Sequence, residues 1–300
     1  MKVVIGARGS KLSLAQAEGI AARLRDLDAE VSLEIIRTTG DIQRGPLAAA
    51  GFGVFVKEIE QALRRGEVSL AVHSLKDLPT GPREGLTIAA VPPREDPRDA
   101  LITASGVGLA DLPPGSRVAT GSPRRVAQLR AHRRDLSFVP VRGNVDTRLR
   151  KLEQGDFDAL VVACAGLARL GLAERITERI PFDICLPAPG QGALALQVRE
   201  DDLATREFVA QLDHAPSRAA VTAERAFLEM LAGGCTVPVG ALATLSDGRV
   251  LLRGVIADPS GERVFKGQEA GPVGEPETVG RALAECLLSE GARQILEACA

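Results

Sequence analysis

Pro92-Pro93-Arg94-Glu95-Asp96-Pro97 and Leu186-Pro187-Ala188-Pro189-Gly190 are the two stretches that decide how this chain is divided. Proline fixes φ and removes a backbone donor, so each cluster interrupts regular structure. Before the first cluster, strand and helix alternate. Lys2–Ile5 reads as a strand. Leu12–Leu27 reads as an amphipathic helix, with Leu14, Ala17, Ala21, Leu24 and Leu27 near helical spacing. Val31–Ile36 is a strand of alternating character, and Thr38–Gly53, rich in Gly and Ala, reads as a mobile loop. Val54–Arg65 is a helix closed by Gly66, and Ser69–Val72 and Leu86–Val91 are further strands. Between the clusters the alternation resumes, with strands at Ala100–Thr103, Arg117–Ala119, Ser137–Val141 and Ala159–Ala163. After the second come a strand, Ala193–Val198, and a helix from Asp202. The pattern predicts α/β sheets, mostly parallel. Two proline-marked crossings around an α/β insert predict two lobes joined by two hinge strands, the strand after Gly190 returning to the first lobe. A cleft between lobes is then a natural ligand site.

From about Pro216 the pattern changes. A long helix, Arg218–Leu231, leads into Gly233-Gly234-Cys235. Strand-like runs at Val239–Leu245, Arg249–Ala257 and Arg263–Glu269, with short turns such as Asp247-Gly248, predict a small antiparallel sheet with helices on one face. A last helical stretch starts near Glu277.

The composition of the 300 residues narrows the function. Hydrophobic residues make up 45%, enough for a substantial core, and two or three domains are expected. No apolar run reaches the length of a membrane span, and the N-terminus shows no signal-peptide pattern, so a cytoplasmic protein is expected. The five cysteines form no CxxC pair and the three histidines are scattered, which argues against a zinc cage or a disulfide framework; no metal is expected. With no Trp, no Tyr and eight Phe, base stacking is poorly supplied, so neither nucleic acid nor membrane is an expected partner.

Charge is balanced overall, at a formal −2, but lopsided in one place. Nine arginines crowd into Arg117–Arg150 against two acids, Asp135 and Asp146. Guanidinium forks match carboxylates and phosphates two bonds at a time, so this stretch predicts a ligand with several negative groups. Arginine is also abundant chain-wide, so part of the excess is compositional. Thr120-Gly121-Ser122-Pro123-Arg124-Arg125 reads as a helix start, with Ser122 as cap and Pro123 in the first turn. Such a terminus attracts anions, although an ordinary cap with solvated arginines would look the same. Arg142-Gly143-Asn144-Val145-Asp146-Thr147-Arg148 is a second strand end leading into a helix. At Ala71-Val72-His73-Ser74-Leu75-Lys76-Asp77 an apolar strand runs into polar groups, where α/β folds place their ligands. Asp77 beside Lys76 could hold a cation or move a proton, or serve only as a turn cap. Gly233-Gly234-Cys235 could expose a thiol, though free cysteines are more often buried apolar residues. Gly6-Ala7-Arg8-Gly9-Ser10-Lys11 fails the spacing of a phosphate loop, and no dinucleotide fingerprint is present.

Taken together and in order, these segments resemble the porphobilinogen deaminase family. The likeness runs through Arg8-Gly9-Ser10 with Gln16, Phe55-Val56-Lys57-Glu58, His73-Ser74-Leu75-Lys76-Asp77, Arg94-Glu95-Asp96-Pro97-Arg98-Asp99-Ala100, Arg142-Gly143-Asn144-Val145, Ala165-Gly166-Leu167, Pro189-Gly190-Gln191-Gly192 and Gly233-Gly234-Cys235. The resemblance implies two α/β lobes like a periplasmic solute-binding protein plus a small α+β domain. The expected divisions are 1–92 with 193–212, 98–187, and 216–300. It implies a transferase that adds porphobilinogen stepwise to a dipyrromethane cofactor, releasing ammonia and the linear tetrapyrrole 1-hydroxymethylbilane. The cofactor would be held by a thioether to Cys235, and the enzyme would be a monomer. By the same resemblance Asp77 is the catalytic carboxylate. Ser74, Lys76, Thr120, Ser122, Arg124, Arg125, Arg142 and Gly143 would contact the cofactor. Arg8, Ser10, Gln16, Phe55, Arg148, Arg169 and Gln191 would contact substrate. His73 is left as a structural histidine. Phe52 stands where many members carry a lysine, so a basic contact from that loop is not expected. Two rivals remain open on residues alone. One is a non-catalytic two-lobed binder of a small polyanion. The other is a basic nucleic-acid module, which would leave Asp77 and Cys235 idle.

Overall fold

The computed structural model describes residues 1–37, 56–231 and 238–299. The expected loop Thr38–Gly53 lies outside them, as do Val54, Phe55 and Gly233-Gly234-Cys235. The chain forms two compact units, 1–95 with 193–218, and 96–192 with 219–300.

In the first unit β1 (Lys2–Ala7) leads through α1 (Lys11–Arg25) to β2 (Glu30–Ile35). Then come α2 (Lys57–Arg64), β3 (Leu70–Ser74), a 3₁₀ turn (Leu75–Asp77) and β4 (Leu86–Ala90). The chain returns as β10 (Leu194–Arg199), followed by α6 (Leu203–Ala210) and the first turn of α7 (Ala215–Met230). Alternate residues of β1, namely Val3, Ile5 and Ala7, are fully buried against Ala17, Ile20, Ala21 and Leu24 of α1. That is the period-two strand meeting the helical stripe that the pattern anticipates. Gly66, at φ +70, ends α2: its N–H reaches Leu63 O and the N–H of Glu67 reaches Ala62 O, a Schellman closure. The sheet order is β2-β1-β3-β10-β4. β1 is parallel to β2 and β3, whereas β10 is antiparallel to both β3 and β4.

In the second unit β5 (Asp99–Thr103) precedes β6 (Arg117–Ala119), α3 (Pro123–His132) and β7 (Ser137–Val139). α4 (Val145–Glu153), β8 (Ala159–Ala163), α5 (Cys164–Arg169) and β9 (Glu178–Arg179) follow. The order β7-β6-β8-β5-β9 repeats the wiring of the first sheet, with β5 antiparallel to β8 and β9. In each sheet four of the five strands run the same way, as the mostly parallel expectation has it, and one, β10 or β5, runs against them. The reason is connectivity. β5 and β10 each arrive from a proline-marked crossing, not through a βαβ return, so the right-handed crossover rule does not set their direction.

The same unit contains a three-stranded antiparallel sheet, β11 (Val239–Ser246), β12 (Arg249–Ala257) and β13 (Val264–Pro272). Asp247 and Gly248 both take positive φ in the β11–β12 turn, the backbone that two-residue hairpins require. The sheet packs Val250, Leu252 and Ile256 on Phe227 of α7 and on Leu283 and Leu287 of α8 (Pro276–Leu287), a core separate from those of the α/β sheets. α9 (Arg293–Cys299) ends the described chain. Among the described residues no helix is long and apolar enough to cross a membrane. Two α/β sheets and a small α+β part agree with the expected fold class.

Candidate functional site

In the first unit the polar residues gather where β1 and β3 end and where α1 and α2 begin. Ser10 caps α1 by accepting the Ser13 N–H at 3.3 Å, and Ser13 Oγ accepts the Arg8 N–H at 3.1 Å. These two bonds fix the turn that carries Arg8. Gln16, buried one turn further on, donates from Nε2 to Ser74 Oγ at 3.0 Å. Beyond Ser74 the strand tightens into the Leu75–Asp77 turn. The Leu78 N–H closes it on Leu75 O at 3.1 Å, and the Leu75 N–H anchors it to Ala193 O at 3.0 Å. Arg8, Ser10, Gln16, His73, Ser74 and Asp77 line one cavity of about 80 Å³, with Val56 and Ile59 as apolar wall. Asp77 is exposed, so its carboxylate is presented to whatever enters. Lys76 is half-buried and is not among the lining residues.

In the second unit the polar residues again sit at strand ends. Thr120 follows β6 and accepts the Ser122 N–H at 3.3 Å; Ser122 then caps α3 through the Arg125 N–H at 3.5 Å. Beyond β7, Arg142 and Gly143 are exposed and Asn144 opens α4 without a side-chain cap bond. Arg148, one turn into α4, returns Nε to Gly143 O at 2.8 Å. Burial, reinforced by the nearby Arg125 charge, lowers its guanidinium pKa. Arg169, at the end of α5, donates to Gly192 O at 2.6 Å.

Arg124 and Arg125 turn inward. Both guanidiniums close on Asp99, the first residue of β5 and fully buried, at 2.8 and 2.7 Å. Gln191 Nε2 bonds the same carboxylate at 2.9 Å and Pro97 O at 2.7 Å. Burial opposes ionisation of Asp99, but the two guanidiniums outweigh it and hold the carboxyl below the usual carboxylate range. These arginines are thus not solvated, and each is paired with a buried acid. Within this cluster Arg124 Nε has no hydrogen-bond partner among the described residues.

Sequence reasoning missed three buried groups. Asp99 stood inside a quoted motif, and the signal was an acid opening an otherwise apolar strand. Glu224 of α7, fully buried, accepts the N–H groups of Gly190 and Ala243 at 2.7 and 2.8 Å. Glu60 of α2 is the third, and nothing in its local sequence marks it. The thiols of Cys164 and Cys185 are pushed up to about 12 by burial. Phe55 and Cys235 lie outside the described residues.

Two family models match the chain, "Porphobilinogen deaminase, dipyromethane cofactor binding domain" over residues 3–207 and "Porphobilinogen deaminase, C-terminal domain" over residues 218–289. A porphobilinogen deaminase of Desulforudis audaxviator is 54% identical over 299 residues, 98% of this chain and 97% of the relative. That of Pelotomaculum thermopropionicum is 49% identical, over 99% and 96%. Among solved structures, the methionine-binding protein MetQ is similar with a TM-score of 0.45 at 14% identity, over 70% of this chain and 89% of that one. Because the models span nearly the whole chain and relatives share about half its residues end to end, the chain belongs to the porphobilinogen deaminase family.

Proposed function

We propose that this chain is a porphobilinogen deaminase (hydroxymethylbilane synthase), a transferase that joins porphobilinogen units with loss of ammonia and releases 1-hydroxymethylbilane. Its dipyrromethane cofactor would be attached through a thioether to Cys235. The donor set of the second unit fits such a polycarboxylate. Gly143, at φ +106, bends the chain so that the first N–H groups of α4 open without a competing side-chain cap, and Arg142 and Arg148 flank that terminus. A helix start with guanidiniums beside it is a carboxylate site. When bound, the cofactor supplies an anchored pyrrole carbon on which new bonds form.

The residues divide the work. Thr120, Ser122, Arg142 and Gly143 would hold cofactor carboxylates, and Ser74 and Lys76 would also contact the cofactor. Arg124, Arg125 and Gln191 act chiefly through Asp99, fixing the start of α3. Arg8, Ser10 and Gln16 would orient porphobilinogen through its acetate and propionate, and Arg148, Arg169 and Phe55 would complete the substrate contacts. Asp77 would face the pyrrole N–H and balance the positive charge that develops as ammonia leaves. Its carboxylate could also carry the protons of that step. The reading carries with it three domains, 1–92 with 193–212, 98–187 and 216–300, in a cytoplasmic monomer. The separate apolar cores support that division.

One observation carries the assignment of roles: Asp77 lines a cavity with Arg8, Ser10 and Gln16, one acid among carboxylate-binding groups. Incubating the purified protein with porphobilinogen should consume it, release ammonia and yield the linear tetrapyrrole. Binding without consumption would favour a polyanion binder.

A further inference from the structure

The first-unit cavity has one polar wall group with no role so far, His73. It is 5% exposed, and its Nε2 lies 3.0 Å from Gln197 Oε1. Gln197, on β10 and 1% exposed, turns its Nε2 to Glu60 Oε1 at 3.2 Å. Glu60, 4% exposed, is ion-paired with Arg83 at 3.2 Å. Donor logic fixes every member of this chain. A carboxylate paired with a guanidinium only accepts, so Gln197 presents its NH₂ to Glu60 and its carbonyl to the ring. The ring must then donate from Nε2, which leaves Nδ1 as a bare acceptor. Nε2 makes the ring's one hydrogen bond among the described residues, and the ring lines the cavity that Asp77 shares.

We propose that His73 is a further substrate contact, its Nδ1 accepting a hydrogen bond from the N–H-rich, cationic end of porphobilinogen while the Arg83–Glu60–Gln197 relay fixes the ring's tautomer. The inference rests on the substrate reading of this cavity given above. A neutral ring is essential, because an imidazolium would repel the ammonium that Asp77 attracts. The charged groups around it are Asp77 on its own turn, Arg8 after β1, Glu60 on α2 and Arg83 before β4; β10 contributes only the neutral Gln197. Burial lowers the ring's pKa to about 4; the Gln197 bond opposes that shift and the Arg83 charge adds to it.

Histidine nitrogen NMR of the holoenzyme tests the relay. The expected result is one neutral Nε2–H tautomer for His73, unchanged from about pH 5.5 to 8.5. An Nδ1–H tautomer, or titration inside that range, overturns the proposal. Kinetics test the contact. The amide oxygen of His73→Asn can stand near Nδ1, whereas His73→Leu offers no acceptor. Loss of a hydrogen bond to a charged group predicts kcat/KM for the Leu variant about tenfold or more below that of the Asn variant. A merely structural histidine predicts equal losses, or a milder one for Leu in this buried setting, and either result overturns the contact. Should the Leu variant not fold, Gln197→Leu should release the tautomer to a mixture and lower kcat/KM; a ring that keeps one tautomer there contradicts the relay. A wild-type protein that consumes no porphobilinogen would overturn the substrate reading itself, and this contact with it, whatever tautomer the ring holds.

Discussion

Asp77 and Asp99 are both strand-end aspartates, and their surroundings give them opposite tasks. Asp77 sits exposed on a 3₁₀ turn, where an acid can meet a ligand. Asp99 is sealed at 0% exposure between two guanidiniums. Asp77→Asn should therefore leave thermal stability nearly unchanged while lowering kcat by about 10²–10⁴-fold, the range for losing acid–base or charge stabilisation. A melting curve and a turnover assay on one preparation check both halves. Asp99→Asn should do the reverse first. Removing one partner of a buried ion pair costs about 3–5 kcal/mol, because the arginines are left uncompensated. Its pH dependence follows from the depressed carboxyl: the stabilisation is complete above the unfolded value of about 4 and is lost as pH falls through the lower folded value. Denaturant titrations of both proteins should show a constant gap from neutral pH to about pH 5, narrowing only in stronger acid. A gap that closes above that point would contradict the assignment.

Helix termini were the most legible elements. Ser10, Ser122 and Asp202 stand at the caps their chemistry favours, and each accepts an N–H from the first turn. Strand direction was not legible for β5 and β10, because pairing partners more than fifty residues away decide it; Asp99 pairs with Ala163, and Leu194 with Ser74. The two-residue β9 is too short to leave any periodicity. The β7–α4 turn carries its own test. Gly143 takes φ +106, and an added Cβ would approach Thr147 within 2.9 Å. Gly143→Ala should cost about 1–3 kcal/mol and lower the fraction of protein that carries cofactor. Denaturant melts and the holo fraction by mass spectrometry report the two effects; unchanged values for both would remove the turn from the site.

Across the whole chain, the arginine-rich stretch shows what a charge count can and cannot convey. Part of it is internal structure: Arg117 pairs with Asp158, Arg124 and Arg125 with Asp99, and Arg133 with Asp135 and three backbone carbonyls. Arg130 reaches Pro259 O and stacks over Phe138. Arg142, beyond β7, and Arg148, one turn into α4, flank the start of that helix. The sequence motifs pointed to the segment but could not separate scaffold from site, since that depends on which acid each arginine meets in three dimensions. The proposed role of Cys235 is to carry a covalent primer for this family's reaction. Intact-mass measurement of the denatured protein tests it most directly. The expected result is a mass above that of the bare chain by two pyrrole units, absent from Cys235→Ala. A bare-chain mass for the active protein, or an adduct that survives in Cys235→Ala, would contradict it.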